Sequence, residues 1–360
     1  MERATVDVYD ERGLTWAESH STAGQRVAAE SFAERVGPAS LRMDVGCGAG
    51  RYLPHLGAPV LAIDASAVML EACRDRTPDA LYVLADLEHL PFGRHTVGGA
   101  WSWMSHLHVP AARLPLALWD LHRVLTVGAP FDLQVLAGEY EGDRLPGDDV
   151  GGRFFSSWTP DRLVDVITGG GFEVEDGSVE VSGDEIRLRA VRARTLADTV
   201  GPGMRLLVCG VNPSMFSADV GVGYGRPGNR FWPAVMAAGV VDEDRDPIDA
   251  LVSHGMGMTD FVKRPTRTAA EVTAGEFRAG FARIERLVTW LQPGAVCFTG
   301  LSGWRSAVNP RAVAGVQPEP IGGRPAYLVP STSGLNARSS LAELADHFAA
   351  AAELADGSRA

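Results

Sequence analysis

Leu206-Leu207-Val208-Cys209-Gly210-Val211-Asn212-Pro213-Ser214 is the stretch on which the reading of this 360-residue chain turns. Its first four residues form an apolar run of the length of a buried parallel strand, and Gly210 lets the backbone turn sharply at the carboxyl end. In open α/β sheets, ligands bind at that end. Gly225-Arg226-Pro227-Gly228-Asn229-Arg230-Phe231-Trp232 comes closely after it, and Pro330-Ser331-Thr332-Ser333-Gly334-Leu335-Asn336 lies far downstream. Around these segments the pattern predicts a helix opening at Phe231, a helix over 274–291, strands at 295–298 and 327–329, and a helix from Ser340. Such alternation implies a parallel sheet with helices on both faces.

A second strand-turn-helix pattern occupies the first half. Apolar positions at helical spacing over 15–36 stop at Gly37-Pro38, and a strand is expected near 41–45. Asp44-Val45-Gly46-Cys47-Gly48-Ala49-Gly50 comes next, then an apolar strand over 60–63 ending at Asp64, and Leu84-Ala85-Asp86-Leu87 at a third strand end. A glycine turn permits close backbone approach, and a carboxylate at the next strand end can hold two ribose hydroxyls. Residues 187–194 alternate like a final edge strand, and Gly201-Pro202-Gly203 breaks the chain shortly after it. These features predict an α/β chain of two domains, 1–194 and 195–360.

The three downstream segments together resemble the mismatch-specific uracil-DNA and thymine-DNA glycosylase family, over roughly residues 195–360. The resemblance implies an α/β/α fold with a parallel sheet, and base excision from double-stranded DNA at G·U or G·T pairs without a cofactor. It makes Asn212 the catalytic residue and Val211, Tyr224 and Ser331 the residues that hold the base. Ser333, Gly334, Leu335, Asn336 and Arg338 become the DNA contacts, with Leu335 filling the vacated stack and Asn336 reaching the orphaned guanine. Asparagine cannot act as a general base. In faster relatives an Asp stands there, and at about 4 Å and an effective dielectric near 20 its charge is worth about 4 kcal/mol to a sugar cation. A slow enzyme is the expectation, leaning on backbone N–H groups near Val211 and Tyr224 to steady the departing base. Lys263 is the one lysine in the chain and does not occupy a nucleophile position, so a Schiff base is not expected. Residues 229–232 read as architecture, since Phe231 and Trp232 would bury large surfaces. The basic run Lys263-Arg264-Pro265-Thr266-Arg267 reads equally as a DNA contact or a solvated face.

The first half resembles class I S-adenosylmethionine-dependent methyltransferases over roughly residues 9–194, which implies a Rossmann-like fold. By that likeness Gly46, Gly48 and Gly50 pass the methionine part of S-adenosylmethionine, Asp64 its ribose, and Asp86 with Leu87 its adenine, and Asp44 is a further cofactor-binding residue. The family's usual Pro-Gly-Gly after the fifth helix is replaced by Thr126-Val127-Gly128-Ala129-Pro130. The methyl acceptor is unknown, because no Asp-Pro-Pro-Tyr or Asn-Pro-Pro-Tyr segment for a flipped base occurs. Trp101, Trp103, His106 and His108 lie where such enzymes place acceptor-side residues, and ordinary packing accounts for them equally well. One rival reading is a small-molecule methyltransferase whose second half only recognises a base or DNA without cutting.

Charge separates the halves. Residues 1–200 carry 18 Arg against 30 acidic side chains, the whole net charge of −12, whereas the 15 cations and 15 acids of 201–360 cancel. Any grip on DNA must therefore come from a local patch in the second half. Cys47, Cys73, Cys209 and Cys297 are too scattered for a zinc or iron-sulfur framework and read as buried free thiols of a reducing cytoplasm. No apolar run approaches 18 residues, so neither a membrane partner nor secretion is expected, and the expected location is the bacterial cytoplasm, at the nucleoid when on DNA.

Overall fold

The computed structural model describes residues 1–17, 23–148 and 150–358. They form two compact units: Met1–Thr168 with Phe172–Ala193, and Gly169–Gly171 with Arg194–Ala360.

The first unit opens with helices α1 (Arg3–Ala17) and α2 (Ala23–Val36). The expected helix over 15–36 is thus α2, residues 18–22 lie outside the described residues, and α1 was not foreseen. Strand β1 (Arg42–Val45), helix α3 (Leu53–Leu56), β2 (Val60–Asp64), α4 (Ala67–Arg76), β3 (Leu81–Leu84), β4 (Gly99–Trp103), α5 (Leu114–Val124) and β5 (Pro130–Ala137) come next. After them are β6 (Glu141–Gly142), β7 (Phe155–Trp158), α6 (Pro160–Gly169), β8 (Phe172–Val174), β9 (Glu180–Ser182) and β10 (Glu185–Arg192). The sheet runs β3-β2-β1-β4-β5-β10-β8, parallel from β3 to β5, with β10 antiparallel to both its neighbours. Strand order reverses between β1 and β4, and the glycine turn leaves β1 there. The alternating segment expected as an edge strand is β10, and it lies inside the sheet. Its exposed-side Arg187 and Arg189 mimic an edge pattern, yet β5, β8 and β9 all pair with it.

The second unit contains β11 (Leu206–Gly210), α7 (Met215–Val220), α8 (Phe231–Ala237), α9 (Pro247–Val252), β12 (Met256–Asp260), α10 (Ala274–Leu291), β13 (Ala295–Thr299), α11 (Ser302–Ala307), β14 (Gly315–Val316), β15 (Ala326–Val329) and α12 (Leu341–Gly357). Its sheet runs β12-β11-β13-β15-β14, parallel except for β14. Alternate strand residues face opposite sides. Val208, Cys297 and Tyr327 pack with Trp232 of α8 and Phe348 of α12, all buried. On the other face Phe298 meets Phe261 at 5.1 Å and Trp304 of α11 at 5.0 Å. Ser340 and Glu343 close a capping box at the start of α12, as Thr273 and Glu276 do for α10. All four cysteines are buried and unbridged. Among the described residues no helix is long and apolar enough to cross a membrane.

A buried ionic cluster ties β12 and its following loop to α10. The Asp198 carboxylate accepts from Thr259 Oγ1 (2.6 Å), Lys263 Nζ (2.7 Å) and Arg283 Nη1 (2.9 Å). Burial alone would raise its pKa, and Lys263 with Arg283 more than reverse that, holding it below the usual carboxylate range. Arg264 is also engaged, with Glu276 at 2.8 Å. Two of the run's three cations are therefore paired within the protein, Lys263 in the cluster and Arg264 at the surface, and exposed Arg267 stands at its end. Replacing Asp198 with Ala should strand two cations and cost about 3–5 kcal/mol, read as a fall in the urea midpoint.

Candidate functional site

Each unit presents a site at the carboxyl end of its sheet. In the first, Gly46, Gly48 and Gly50 all have positive φ (76°, 51° and 75°). A Cβ on Gly46 would stand 2.3 Å from Ser105 Cβ, and one on Gly50 2.3 Å from Cys73 Sγ, whereas Gly48 faces open space. The Gly48 N–H donates to Asp64 Oδ2 (2.8 Å) and the Ser66 N–H to Asp64 Oδ1 (2.9 Å). Two N–H groups leave an ionised carboxylate with further acceptor sites for a diol. Beside it opens a cavity of about 310 Å³ whose wall includes Gly46, Gly48, Asp64, Leu87, Tyr52 and Trp103. Asp44, Gly50 and Asp86 are not part of that wall. Asp44 is buried behind the turn, where burial and then the Asp64 charge push its pKa up to about 8. Asp86 accepts from the Met1 ammonium at 2.7 Å and from the Glu88 N–H at 3.0 Å.

The aromatic cluster after β4 divides. Trp103 and His108 reach the cavity wall. Trp101 and His106 are buried in the core, Trp101 stacked on Trp103 at 4.2 Å. His108 Nδ1 donates to the Phe154 carbonyl (2.6 Å), so Nε2 accepts from the Tyr9 hydroxyl (2.8 Å). Burial pushes the His108 pKa down to about 4.

In the second unit, strand order reverses between β11 and β13, and Asn212 leaves β11 at that point. Its pairing with β12 continues past both strands, since Phe261 N–H donates to Gly210 O (2.9 Å) and Val262 N–H to Val211 O (3.1 Å). The loop after β12 then returns under Asn212. Asn212 Nδ2 donates to Thr266 Oγ1 (2.8 Å) and Arg264 O (3.0 Å), and Thr266 Oγ1 in turn donates to Thr268 O. Both amide protons are spent on protein acceptors. Oδ1, without a partner among the described residues, is left to accept from a ligand or water.

Tyr224 holds φ at 56°, a costly conformation for a bulky residue. Its hydroxyl meets Thr299 Oγ1 at 2.6 Å, and one ring face stacks on Phe231 at 4.0 Å. Burial, with the Asp260 charge next, raises its pKa well above the usual phenol range.

The sequence reading missed Asp260. It is the last residue of β12, in register with Gly210, and its carboxylate lies so close that a Cβ on Gly210 would stand 2.2 Å from Oδ1. No donor pairs with it among the described residues. Burial lifts its pKa from the usual carboxylate range to about 6, with Lys263 opposing and Asp198 reinforcing the rise. Gly210 is two strand residues from Asn212, roughly 7 Å. The sequence signals were the likeness of 259–266 to a segment the glycosylase family carries, and an acid following Met256-Gly257-Met258-Thr259, a run too weakly apolar to read as a strand.

The downstream loop forms its own group. Leu335 is 90% exposed, the extreme among the large apolar side chains of the described residues. Ser331 is exposed, its Oγ accepting from the Ser333 N–H (3.3 Å) and its carbonyl from Asn336 Nδ2 (2.8 Å). Asn336 Oδ1 accepts from the N–H of exposed Arg338 (3.1 Å). Asn336 thus folds the loop upon itself here. The close approach that Gly334 permits is to protein, a Cβ there meeting Gly228 O at 2.7 Å.

The family model of the methyltransferase domain matches residues 43–131, and that of the uracil DNA glycosylase superfamily matches residues 197–355. The chain therefore carries a methyltransferase domain followed by a domain of the uracil DNA glycosylase superfamily. Similar solved structures include a chain of the complex between the Haloferax volcanii Trm112 methyltransferase activator and the putative methyltransferase, at 17% identity and TM-score 0.42, covering 53% of this chain and 97% of that one. An S-adenosylmethionine-dependent methyltransferase from Mesorhizobium loti is 20% identical at TM-score 0.39, over 47% and 98% of the two chains. The DhpI complex with S-adenosylhomocysteine is 16% identical at TM-score 0.43, over 53% and 96%.

The clamp on the Asn212 amide can be checked apart from any activity. Thr266→Val keeps the volume and removes the Oγ1 that serves Asn212 and Thr268, so it should cost about 1–3 kcal/mol in urea unfolding.

Proposed function

We propose that the second unit hydrolyses the N-glycosidic bond of uracil, and of thymine or damaged pyrimidines more slowly, opposite guanine in double-stranded DNA. The observation that carries this reading is the Asn212 amide, its protons held by Arg264 O and Thr266 Oγ1 so that its oxygen is left free among the described residues, two strand residues beyond the Gly210 that Asp260 approaches. Asn212 Oδ1 orients the attacking water by accepting one of its protons in a hydrogen bond. Asp260, ionised above about pH 6, supplies the negative charge that asparagine lacks, receiving the second proton or steadying the positive sugar. The expectation of a slow enzyme is revised accordingly. Tyr224 stacks on the extruded base, with Val211 and Ser331 at its edges, and Leu335 enters the gap while Ser333, Gly334, Asn336 and Arg338 meet the strand. Lys263 is ion-paired with Asp198, and an ammonium so held has no lone pair to offer a sugar carbon, which supports plain hydrolysis. A second unit that only recognises a base is not favoured, because a half-buried carboxylate without a donor among the described residues, at the carboxyl end of the sheet, serves hydrolysis better than base recognition.

Single-turnover release of uracil from a labelled G·U duplex, scored as alkali-labile abasic sites, tests the assignment. Asn212→Ala should slow it at least about a hundredfold with duplex binding retained. For the parent, the rate should climb as pH rises through about 6 and level off above, and Asp260→Asn should abolish that limb along with about 10²–10⁴ of the rate. The stability sign runs the other way. Asp260 has a folded pKa above its unfolded one, so it favours folding in acid and loses that contribution as pH rises through about 6. Asp260→Asn should therefore be at least as stable as the parent at pH 8; lower stability there would assign Asp260 to the framework.

The first unit we read as binding S-adenosylmethionine, which supplies a methyl group on a sulfonium sulfur. The residues fit it. Gly48 offers bare backbone to the cavity, Asp64 has acceptor sites left for a ribose diol, and Leu87 provides an apolar wall for adenine. Asp44 is buried behind the glycine turn, Gly50 is packed against Cys73, and Asp86 follows the end of β3. By calorimetry, Asp64→Ala should weaken cofactor binding by about 1.5–3 kcal/mol.

A further inference from the structure

We propose that residues 229–232 form a bracket that sets the distance between the base pocket and the apolar loop tip, with Arg230 the positioning residue through which Leu335 acts. This inference rests on the glycosylase reading above. Arg230 lies at the start of α8, and its guanidinium is committed to the loop that carries Leu335. Nη2 donates to the carbonyls of Ser333 (3.2 Å) and Asn336 (2.6 Å), and Nη1 donates to that of Ser339. The Arg230 backbone N–H adds a bond to Thr332 O (3.0 Å). Four carbonyls between 332 and 339 are thus tied to one residue. The close approach of Gly334 to Gly228 O clamps the same loop from the side.

The next two residues hold the base pocket. The Phe231 ring lies under Tyr224 at 4.0 Å with 15° between planes, and Trp232 Nε1 donates to Gly223 O (2.8 Å). Both aromatic side chains are buried in the core. One rigid segment therefore anchors the ring proposed to stack on the base and the loop proposed to fill its place. Opening a base pair demands both at once. With separate mobile supports, each loop would have to be ordered at the moment of binding; a shared anchor orders them beforehand. An exposed leucine on an irregular polar loop would otherwise sample many positions.

The test is a double-mutant cycle on the full chain: parent, Arg230→Met, Leu335→Ala and the double variant, each assayed by single-turnover uracil release from a G·U duplex and from single-stranded uracil DNA. Arg230→Met should slow the duplex reaction about 10- to 100-fold, the scale of an ångström of misplacement, and change the single-strand rate by less than about threefold. In the Leu335→Ala background it should add less than about threefold, since the group it positions is gone. Arg230→Lys, which keeps the stem and the charge but cannot span three carbonyls, should show the same duplex-selective loss if the Met variant folds poorly. Equal losses on both substrates, or effects of Arg230 and Leu335 that multiply, would overturn the bracket. A parent that releases no uracil from either substrate would defeat the glycosylase reading and the bracket with it. A parent active on both, with Arg230→Met matching it on the duplex, would defeat the bracket alone.

Discussion

Parallel pairing between β11 and β12 does not stop where the strands stop, and the second site depends on this. The bonds from Phe261 N–H to Gly210 O and from Val262 N–H to Val211 O carry the two chains side by side out of the sheet. Thr266 N–H then closes on Pro213 O at 3.1 Å. Asn212 is in effect held in a two-stranded collar. Its amide protons point into the collar and its oxygen out of it, and the same register sets Asp260 against Gly210. A one-residue slip would turn both side chains to the opposite face. The ionic cluster of Asp198, Lys263 and Arg283 holds the collar's outer strand against α10.

Both units keep carboxylates where burial disfavours their charge. Asp260 and Asp44 are lifted to about 6 and about 8, and Asp64 is raised as well, chiefly by burial. Asp198 shows what a purely structural buried acid looks like, saturated by three donors and held low. Asp260, one residue beyond Thr259, has no such donors. The two acids, one bonded to Thr259 and the other next to it in the chain, thus differ in donors and in the direction of their pKa shifts.

Much of the architecture was legible because it is written in local pattern. The apolar run at 206–209, the helix at 274–291 and the Ser340 cap are short-range signals, and each corresponds to an element of the structure. The glycine turn and Asp64 were legible for the same reason, since φ preference and strand-end position are local. β12 was not. Met256-Gly257-Met258 opens it and Thr259 alone is β-branched, giving no β-branched run, and it is a strand because Leu206–Gly210 lies beside it. Strand β10 was seen but misplaced, because alternation reports exposure on one face and says nothing of neighbours in the sheet.

For the candidate sites the division is similar. From sequence alone came residue types at turns: Asn212 after a strand, Tyr224 among glycines, Leu335 in a polar loop, and Gly46 and Gly48 before a helix. These are carried by covalent neighbours and need no partner to be recognised. Asp260 beside Gly210, the orientation of the Asn212 amide, and Arg230 gripping a loop a hundred residues away were decided only in the folded chain. Each is a pairing across long separation, and such pairings are set by strand register and core packing, which bring together residues that have no local reason to meet.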